Sequence, residues 1–153
     1  MGVIVELARA RTRITLLEAQ LVELQKQIPV GGVIGINEMS SIILDKLDEM
    51  RDDKAELYLA DKLCKVHKKA DVVRFLGLDE TDKIVYSEDD FDCDDYAAVL
   101  YGKGLGLLWT SVHALCWFID ENNVLWFLEP QTDVISQVLD DWQGWDCRFF
   151  LSR

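Results

Sequence analysis

The sequence contains few of the residues that build metal centres or disulfide frameworks. Its 153 residues include two histidines and four cysteines, and no two cysteines form a Cys-x-x-Cys pair. Structural zinc sites and disulfide-rich scaffolds need such residues at close spacing. We therefore expect no metal, no cofactor and no disulfide framework, and we expect all four cysteines to be reduced thiols.

Long apolar runs and an excess of positive charge are also absent. No apolar stretch reaches the roughly 20 residues that cross a bilayer, and the first residues lack the basic-then-apolar order of a signal peptide. The 16 basic and 28 acidic residues give a net charge of -12, which disfavours binding to a phosphate backbone. We expect a soluble protein of the cytoplasm or of a virus particle, with neither nucleic acid nor a membrane span.

A seven-residue repeat of apolar residues runs through the N-terminal segment. One position of the repeat is held by Leu7, Ile14, Leu21 and Ile28, and its partner by Val3, Ala10, Leu17 and Leu24. With charged residues between them, this pattern predicts a helix of about 26 residues, roughly 39 Å long. A coiled coil of two or three copies is the favoured interpretation, because mixed Ile and Leu do not fix the number. The alternative is a helix that folds back on its own domain.

Proline and glycine at Pro29 to Gly32 break this helix and predict a hinge. The expected domains are therefore an oligomerisation helix at 1–29 and an α+β domain at 30–153. Apolar periodicity predicts three further helices. The first begins after Asn37, and the second runs from about Asp53 to Lys68. The third runs from Asp71 to Leu76, with Gly77 as its C-terminal stop.

The second half of the sequence has the composition of β-strands. Two apolar runs, Leu107 to Ile119 and Val124 to Leu128, flank the turn-forming residues 120–123 and predict a β-hairpin. A last strand is expected at Cys147 to Leu151, after a turn at Trp142 to Trp145. Helices followed by an antiparallel sheet define the α+β class.

Cys93 stands at the predicted start of a helix. Asp92 can cap this helix, and Asp95 is placed to complete a capping box. A helix N-terminus favours thiolate over thiol, whereas the neighbouring carboxylates oppose it. We expect the helix to dominate if those carboxylates point outward. The other three cysteines, Cys64, Cys116 and Cys147, lie among apolar residues and are expected to be buried.

His113 falls within a predicted strand, and Glu129 and Gln131 fall at the end of the next one. All three have the same parity in the hairpin, so a three-residue turn would place an acid or amide beside the imidazole. A turn of two or four residues would separate them. In the first case Cys93, His113 and Glu129 could form a nucleophile, base and orienting acid.

The residues Asp-Cys-Asp-Asp-Tyr-Ala at 92–97, His-Ala at 113–114 and Glu-Pro-Gln at 129–131 resemble the papain-like and transglutaminase-like cysteine peptidase superfamily. They are similar in particular to bacterial transglutaminase-like cysteine proteinases and to the protease domain of fungal agglutinins. The resemblance implies a papain-like core and a cysteine hydrolase, a peptidase or amidase, acting on a peptide or protein substrate. It also implies Cys93 as nucleophile, His113 as base and Glu129 as third member, with Gln131 as the alternative.

The acidic stretch before Cys93 departs from that family. Papain-like members carry an oxyanion-binding glutamine there, and acids do not stabilise an oxyanion. Alternating Asp90, Asp92 and Asp94 resemble a calcium loop but lack its glycine and final glutamate. The alternative hypothesis is a non-catalytic oligomeric structural or interaction module, such as a subunit of a viral particle or surface complex.

Overall fold

The computed structural model describes residues 2–24, 26–52, 54–139 and 146–153. The helices in these ranges are α1 (Gly2–Leu24), α2 (Ile36–Met50), α3 (Lys69–Leu76) and α4 (Cys93–Gly102), with a 3-10 turn at Thr81–Lys83. The strands are β1 (Gly32–Gly35), β2 (Glu56–Tyr58), β3 (Leu63–Val66), β4 (Gly106–Thr110), β5 (Ala114–Ile119), β6 (Leu125–Glu129), β7 (Val134–Ser136) and β8 (Cys147–Leu151). The predicted α+β class is confirmed.

Six of the strands form one mixed sheet in the order β2-β8-β4-β5-β6-β7, and β1 pairs with β3 in a small antiparallel sheet. The prediction of a purely antiparallel sheet was wrong because β2 runs parallel to β8. The predicted hairpin is confirmed by β5 and β6, in which Cys116 pairs with Leu128 and Ile119 with Leu125. The last strand is also confirmed, whereas the predicted turn at 142–145 lies outside the described residues.

Both faces of the large sheet are covered. On one face α2 packs through Met39, Ile43 and Leu47 against a cluster that includes Trp117 and Phe150. On the other face α3 and α4 pack against a second cluster that includes Cys116 and Phe118. All six residues of β5 are therefore buried, which explains why this strand is continuously apolar rather than alternating.

The predicted helix from Asp53 to Lys68 does not form. This segment instead contains β2, which pairs with β8, and β3, which pairs with β1. In β3 the side chains of Cys64 and Val66 are buried, while those of Leu63 and Lys65 are exposed. The alternation of a strand therefore governs this segment, and its partners lie far away along the chain.

Helix α1 ends at Leu24, before the predicted end at Ile28. Ile28 is 3% exposed and belongs to the core cluster that α3 and α4 form on the sheet, and its N–H donates to the Lys103 carbonyl at 2.9 Å. The Pro29 carbonyl lies 2.8 Å from Nδ1 of the buried His67. The residues directly after α1 are thus hydrogen-bonded to Lys103 and His67. No helix in the described ranges is long and apolar enough to cross a membrane.

Candidate functional site

Helix α4 begins at Cys93 with the predicted capping box. The Asp92 side chain accepts a hydrogen bond from the Asp94 N–H at 3.2 Å, and the Asp95 side chain accepts one from the Asp92 N–H at 3.1 Å. These two bonds satisfy N–H groups that a helix start otherwise leaves unpaired. The cap fixes the backbone from which the half-buried Cys93 side chain projects.

The environment of Cys93 does not favour a thiolate. Burial raises the pKa of the Cys93 thiol above its ordinary value, and the Asp92 and Asp94 carboxylates raise it further. Hydrogen bonds from the Ala114 and Asp94 N–H groups lower it but do not compensate. The helix N-terminus was expected to dominate only if the neighbouring carboxylates point outward. Here loss of hydration outweighs the backbone donors, and Asp92 and Asp94 add to it.

The bond from Ala114 brings Cys93 beside the first residue of β5, directly after His113. His113 itself lies in the turn between β4 and β5, so its prediction as a strand residue was wrong. Thr110, which is 1% exposed, shapes this turn. Its Oγ1 accepts the His113 N–H at 2.9 Å and donates to the His113 carbonyl at 2.8 Å. The threonine hydroxyl interrupts the strand and fixes the backbone of His113.

His113 and Glu129 are brought together across the hairpin. The imidazole Nε2 lies 2.7 Å from Oε2 of Glu129, and the side chains are 14% and 13% exposed. The Gln131 N–H donates to the other carboxylate oxygen, Oε1, at 3.2 Å. Glu129 is therefore held through both oxygens, and Gln131 contributes its backbone to this arrangement. We refer to Cys93, His113 and Glu129 as the candidate site.

Two exposed residues border the candidate site. Val112 precedes His113 and is 66% exposed, and Tyr86 is 55% exposed. Loss of hydration and the Asp92, Glu88 and Cys93 groups raise the pKa of the Tyr86 hydroxyl, so this hydroxyl lies within electrostatic range of the start of α4. Thr110 and Tyr86 were missed at the level of sequence. The spacing of Thr110 and His113 could have indicated the turn.

Asp92, Cys93 and Asp94 are close enough together for one atom of each to reach a common metal ion. However, the Asp92 carboxylate accepts the Asp94 N–H as the helix cap, so a role in folding accounts for its position. The other three cysteines are buried, as predicted, and burial raises the pKa of each of their thiols.

Because its pKa is raised, Cys93 is expected to react slowly with iodoacetamide at pH 7. The rate should increase as the pH rises past the ordinary thiol value of about 8.5, since the thiolate is the reactive form. Replacing Asp94 by Asn removes a charge that raises this pKa and should increase the rate at a fixed pH by roughly two- to threefold. Peptide mass spectrometry after timed labelling measures each rate.

Asp89→Asn is the control for this experiment, because Asp89 is exposed and is not among the groups that raise the Cys93 pKa. Its rate should match that of the unmodified chain. Fast labelling of Cys93 at pH 6 would contradict a raised pKa.

No protein-family model matches the chain, and no curated protein matches it. Solved structures do match. One is a complex of PSL1a with E64, with a TM-score of 0.64 and 22% identity. Another is Polyporus squamosus lectin bound to the human-type influenza-binding epitope Neu5Acα2-6Galβ1-4GlcNAc, with a TM-score of 0.63 and 23% identity. The chain shares a fold with these structures.

The match covers 78% of this chain and 51% and 49% of the two solved chains. This chain therefore spans about half the length of the proteins it resembles. At this level of identity the likeness concerns the fold.

These neighbours correct the interpretation of the short motifs. The matching structures are of a lectin, which overturns the resemblance to the papain-like and transglutaminase-like cysteine peptidases. It also overturns the expectation of a cysteine hydrolase. The raised pKa of Cys93 points in the same direction, because an activated cysteine requires a lowered one. The choice of Cys93, His113, Glu129 and Gln131 as functional residues stays a prediction.

Proposed function

We propose that this chain is a ligand-binding module and that a short, neutral oligosaccharide binds over the His113–Glu129 pair. The observation that carries the proposal is the contact of 2.7 Å between a histidine and a glutamate that both remain partly exposed. A glycan is chosen as the ligand class because a structure that shares the fold is described as bound to one.

The chemistry of the candidate site suits hydroxyl groups. A carboxylate can accept about four hydrogen bonds, so Glu129 retains acceptor capacity beyond its bonds to His113 and the Gln131 N–H. A sugar hydroxyl donates as well as accepts and can use such an acceptor. Tyr86 is 55% exposed and its hydroxyl lies within electrostatic range of the start of α4, and a tyrosine side chain offers an apolar face with a polar edge. A small number of polar groups beside an aromatic surface is typical of small-ligand sites.

The charge around the candidate site favours a neutral sugar over an acidic one. Glu88, Asp89 and Asp90 are exposed, and Asp92, Asp94 and Asp95 follow them at the start of α4. Like charges at an interface reduce affinity and slow association. We therefore propose that Galβ1-4GlcNAc binds more tightly than the same disaccharide carrying the Neu5Ac carboxylate.

Isothermal titration of the chain with both sugars tests this proposal. The neutral disaccharide should bind, and the sialylated trisaccharide should bind more weakly, with a difference that decreases as salt is added. Glu129→Gln should weaken binding of the disaccharide by about tenfold or more, because a hydrogen bond to a charged group is lost. The matched control is Glu80→Gln, an exposed glutamate paired with Lys83, which should bind as the unmodified chain does.

Absence of binding by either sugar would contradict the proposal. Equal loss of affinity in both variants would also contradict it, since the effect would then not depend on Glu129. E64 is included as a further ligand because it is named with PSL1a. A chain that takes up E64 at Cys93 and binds neither sugar would overturn the assignment of a glycan.

We also propose that the chain self-associates through α1. Apolar residues along this helix are about half exposed, namely Val5, Leu7, Ile14, Leu16, Leu17, Leu21 and Val22. Exposed apolar residues along one helix are typical of a surface that binds a partner. Light scattering coupled to size-exclusion chromatography should give two or three chains, whereas a mass of 17.6 kDa would contradict self-association.

A further inference from the structure

Charged residues of opposite sign flank the apolar seam of α1, which we define as Leu7, Ile14 and Leu21 at one heptad position and Ala10 and Leu17 at the other. Leu7, Ile14, Leu17 and Leu21 are 53–56% exposed. With these residues at positions a and d, Glu6 and Arg13 occupy position g, and Arg11 and Glu18 occupy position e. Positions e and g are those that set partner choice and orientation in coiled coils.

We infer that a second copy of this chain packs on the seam in parallel and in register. In that arrangement a g residue of one helix faces the e residue five positions later on its partner. Glu6 then faces Arg11, and Arg13 faces Glu18. Both pairs join opposite charges, and twofold symmetry produces each of them twice.

An antiparallel arrangement uses these charges less well. Its flanking contacts join e to e and g to g, so Glu6 would no longer face Arg11 and Arg13 would no longer face Glu18. Depending on the register, position g pairs Arg13 with itself, with Gln20 or with Glu6, and position e pairs Arg11 with itself or with Glu18. The register that joins Glu6 to Arg13 differs from the one that joins Arg11 to Glu18, so each contains one kind of opposite-charge pair. In the parallel register, therefore, all four charged residues face an opposite charge on the partner helix. In an antiparallel register only two of them do.

The charges are available for a partner. Glu6, Arg11, Arg13 and Glu18 are exposed, and within the part of the chain that the structure describes none of the four has an ion-pair partner. Glu18 also has no charged residue three or four positions away along the helix. Its reversal therefore changes contacts between helices and leaves contacts within the helix unaltered.

This inference rests on the proposed self-association, and a charge exchange tests it separately. Arg13→Glu and Glu18→Arg each place like charges opposite one another and should each weaken association by roughly tenfold. The double variant restores opposite charges in the parallel register and should recover most of the affinity. Arg9→Glu is the control for charge, because it changes the net charge as Arg13→Glu does but lies at position c.

Disulfide formation gives a second, direct readout of register. Ala10→Cys at position d should form an intermolecular disulfide on mild oxidation, because parallel helices place residue 10 opposite residue 10. Thr12→Cys lies at position f on the outside and should not. Oxidation of the unmodified chain measures the background crosslinking through Cys93, because its other three cysteines are buried.

The outcomes separate the two proposals. An unmodified chain that is monomeric overturns the self-association and with it this inference. An oligomer in which the double charge variant is no stronger than the single variants, and Ala10→Cys does not crosslink, overturns the parallel register alone. Recovery in the double variant with crosslinking at residue 10 supports it.

Discussion

Replacing Gly106 by alanine should lower the free energy of unfolding by about 3 kcal/mol, an effect at the upper end of the range for overpacked cores. Gly106 pairs with Trp117 across β4 and β5. A Cβ at residue 106 would lie 2.2 Å from Cε2 and 2.4 Å from Nε1 of the Trp117 ring. Trp117 is 2% exposed, and its Nε1–H donates to the Leu107 carbonyl at 3.0 Å. The indole cannot move without breaking that bond.

Gly102→Ala is the matched control. It is the same substitution four residues earlier, at the end of α4, where an added Cβ meets nothing within 4 Å. Alanine is favoured over glycine in a helix, so stability should be unchanged or slightly higher. Urea denaturation at a fixed protein concentration measures both variants, since association through α1 would make stability depend on concentration. Equal stability of the two variants would contradict the packing of Trp117 over Gly106.

Phe150→Ala should destabilise the chain by roughly 3–5 kcal/mol, the range for an aromatic side chain removed from a core. Phe150 is fully buried, and its ring lies 5.7 Å from that of Trp117 and 6.5 Å from that of Phe127. The cavity left behind would lie between the sheet and α2, where the surrounding side chains are held by both layers.

The neighbouring residue provides the control for this second substitution. Phe149 points to the opposite face, where it is partly exposed and contacts Tyr58 and Trp109. Aromatic pairs of this kind contribute about 0.5–1.5 kcal/mol, so Phe149→Ala should cost about 1 kcal/mol. The same denaturation measurement applies. A larger loss at Phe149 than at Phe150 would contradict the register of β8.

The elements that local signals determine were predictable from the sequence. The start of α4 follows from Asp92 and Asp95 as a capping box, and both bonds are present. The β5–β6 hairpin follows from polar turn residues between two apolar runs. In each case the residues that decide the structure are within a few positions of one another.

The elements that distant partners determine were not predictable. Residues 56–58 and 63–66 have apolar spacings compatible with a helix or a strand, and pairing with β8 and β1 selects the strand. Ile28 continues the heptad pattern but is buried in the core of the domain. In both cases the structure is decided by contacts with residues that are distant in the sequence.

The candidate site was partly predictable. Parity in the hairpin indicated that Glu129 could reach His113, and the two side chains are in contact. The turn that Thr110 imposes was not anticipated. The chemical interpretation failed because the order of a cysteine, a histidine and an acid specifies neither hydration nor charge. Burial and the Asp92 and Asp94 carboxylates raise the pKa of Cys93.

The central claim, that a neutral oligosaccharide binds over the His113–Glu129 pair, is tested most directly by amide chemical shifts during titration with Galβ1-4GlcNAc. The Ala114 N–H bonds to Cys93, and the Gln131 N–H bonds to Glu129, so both report on the candidate site. The account predicts that the largest shifts occur at Ala114, Gln131 and His113. Shifts confined to another surface, or none at saturating sugar, would contradict it.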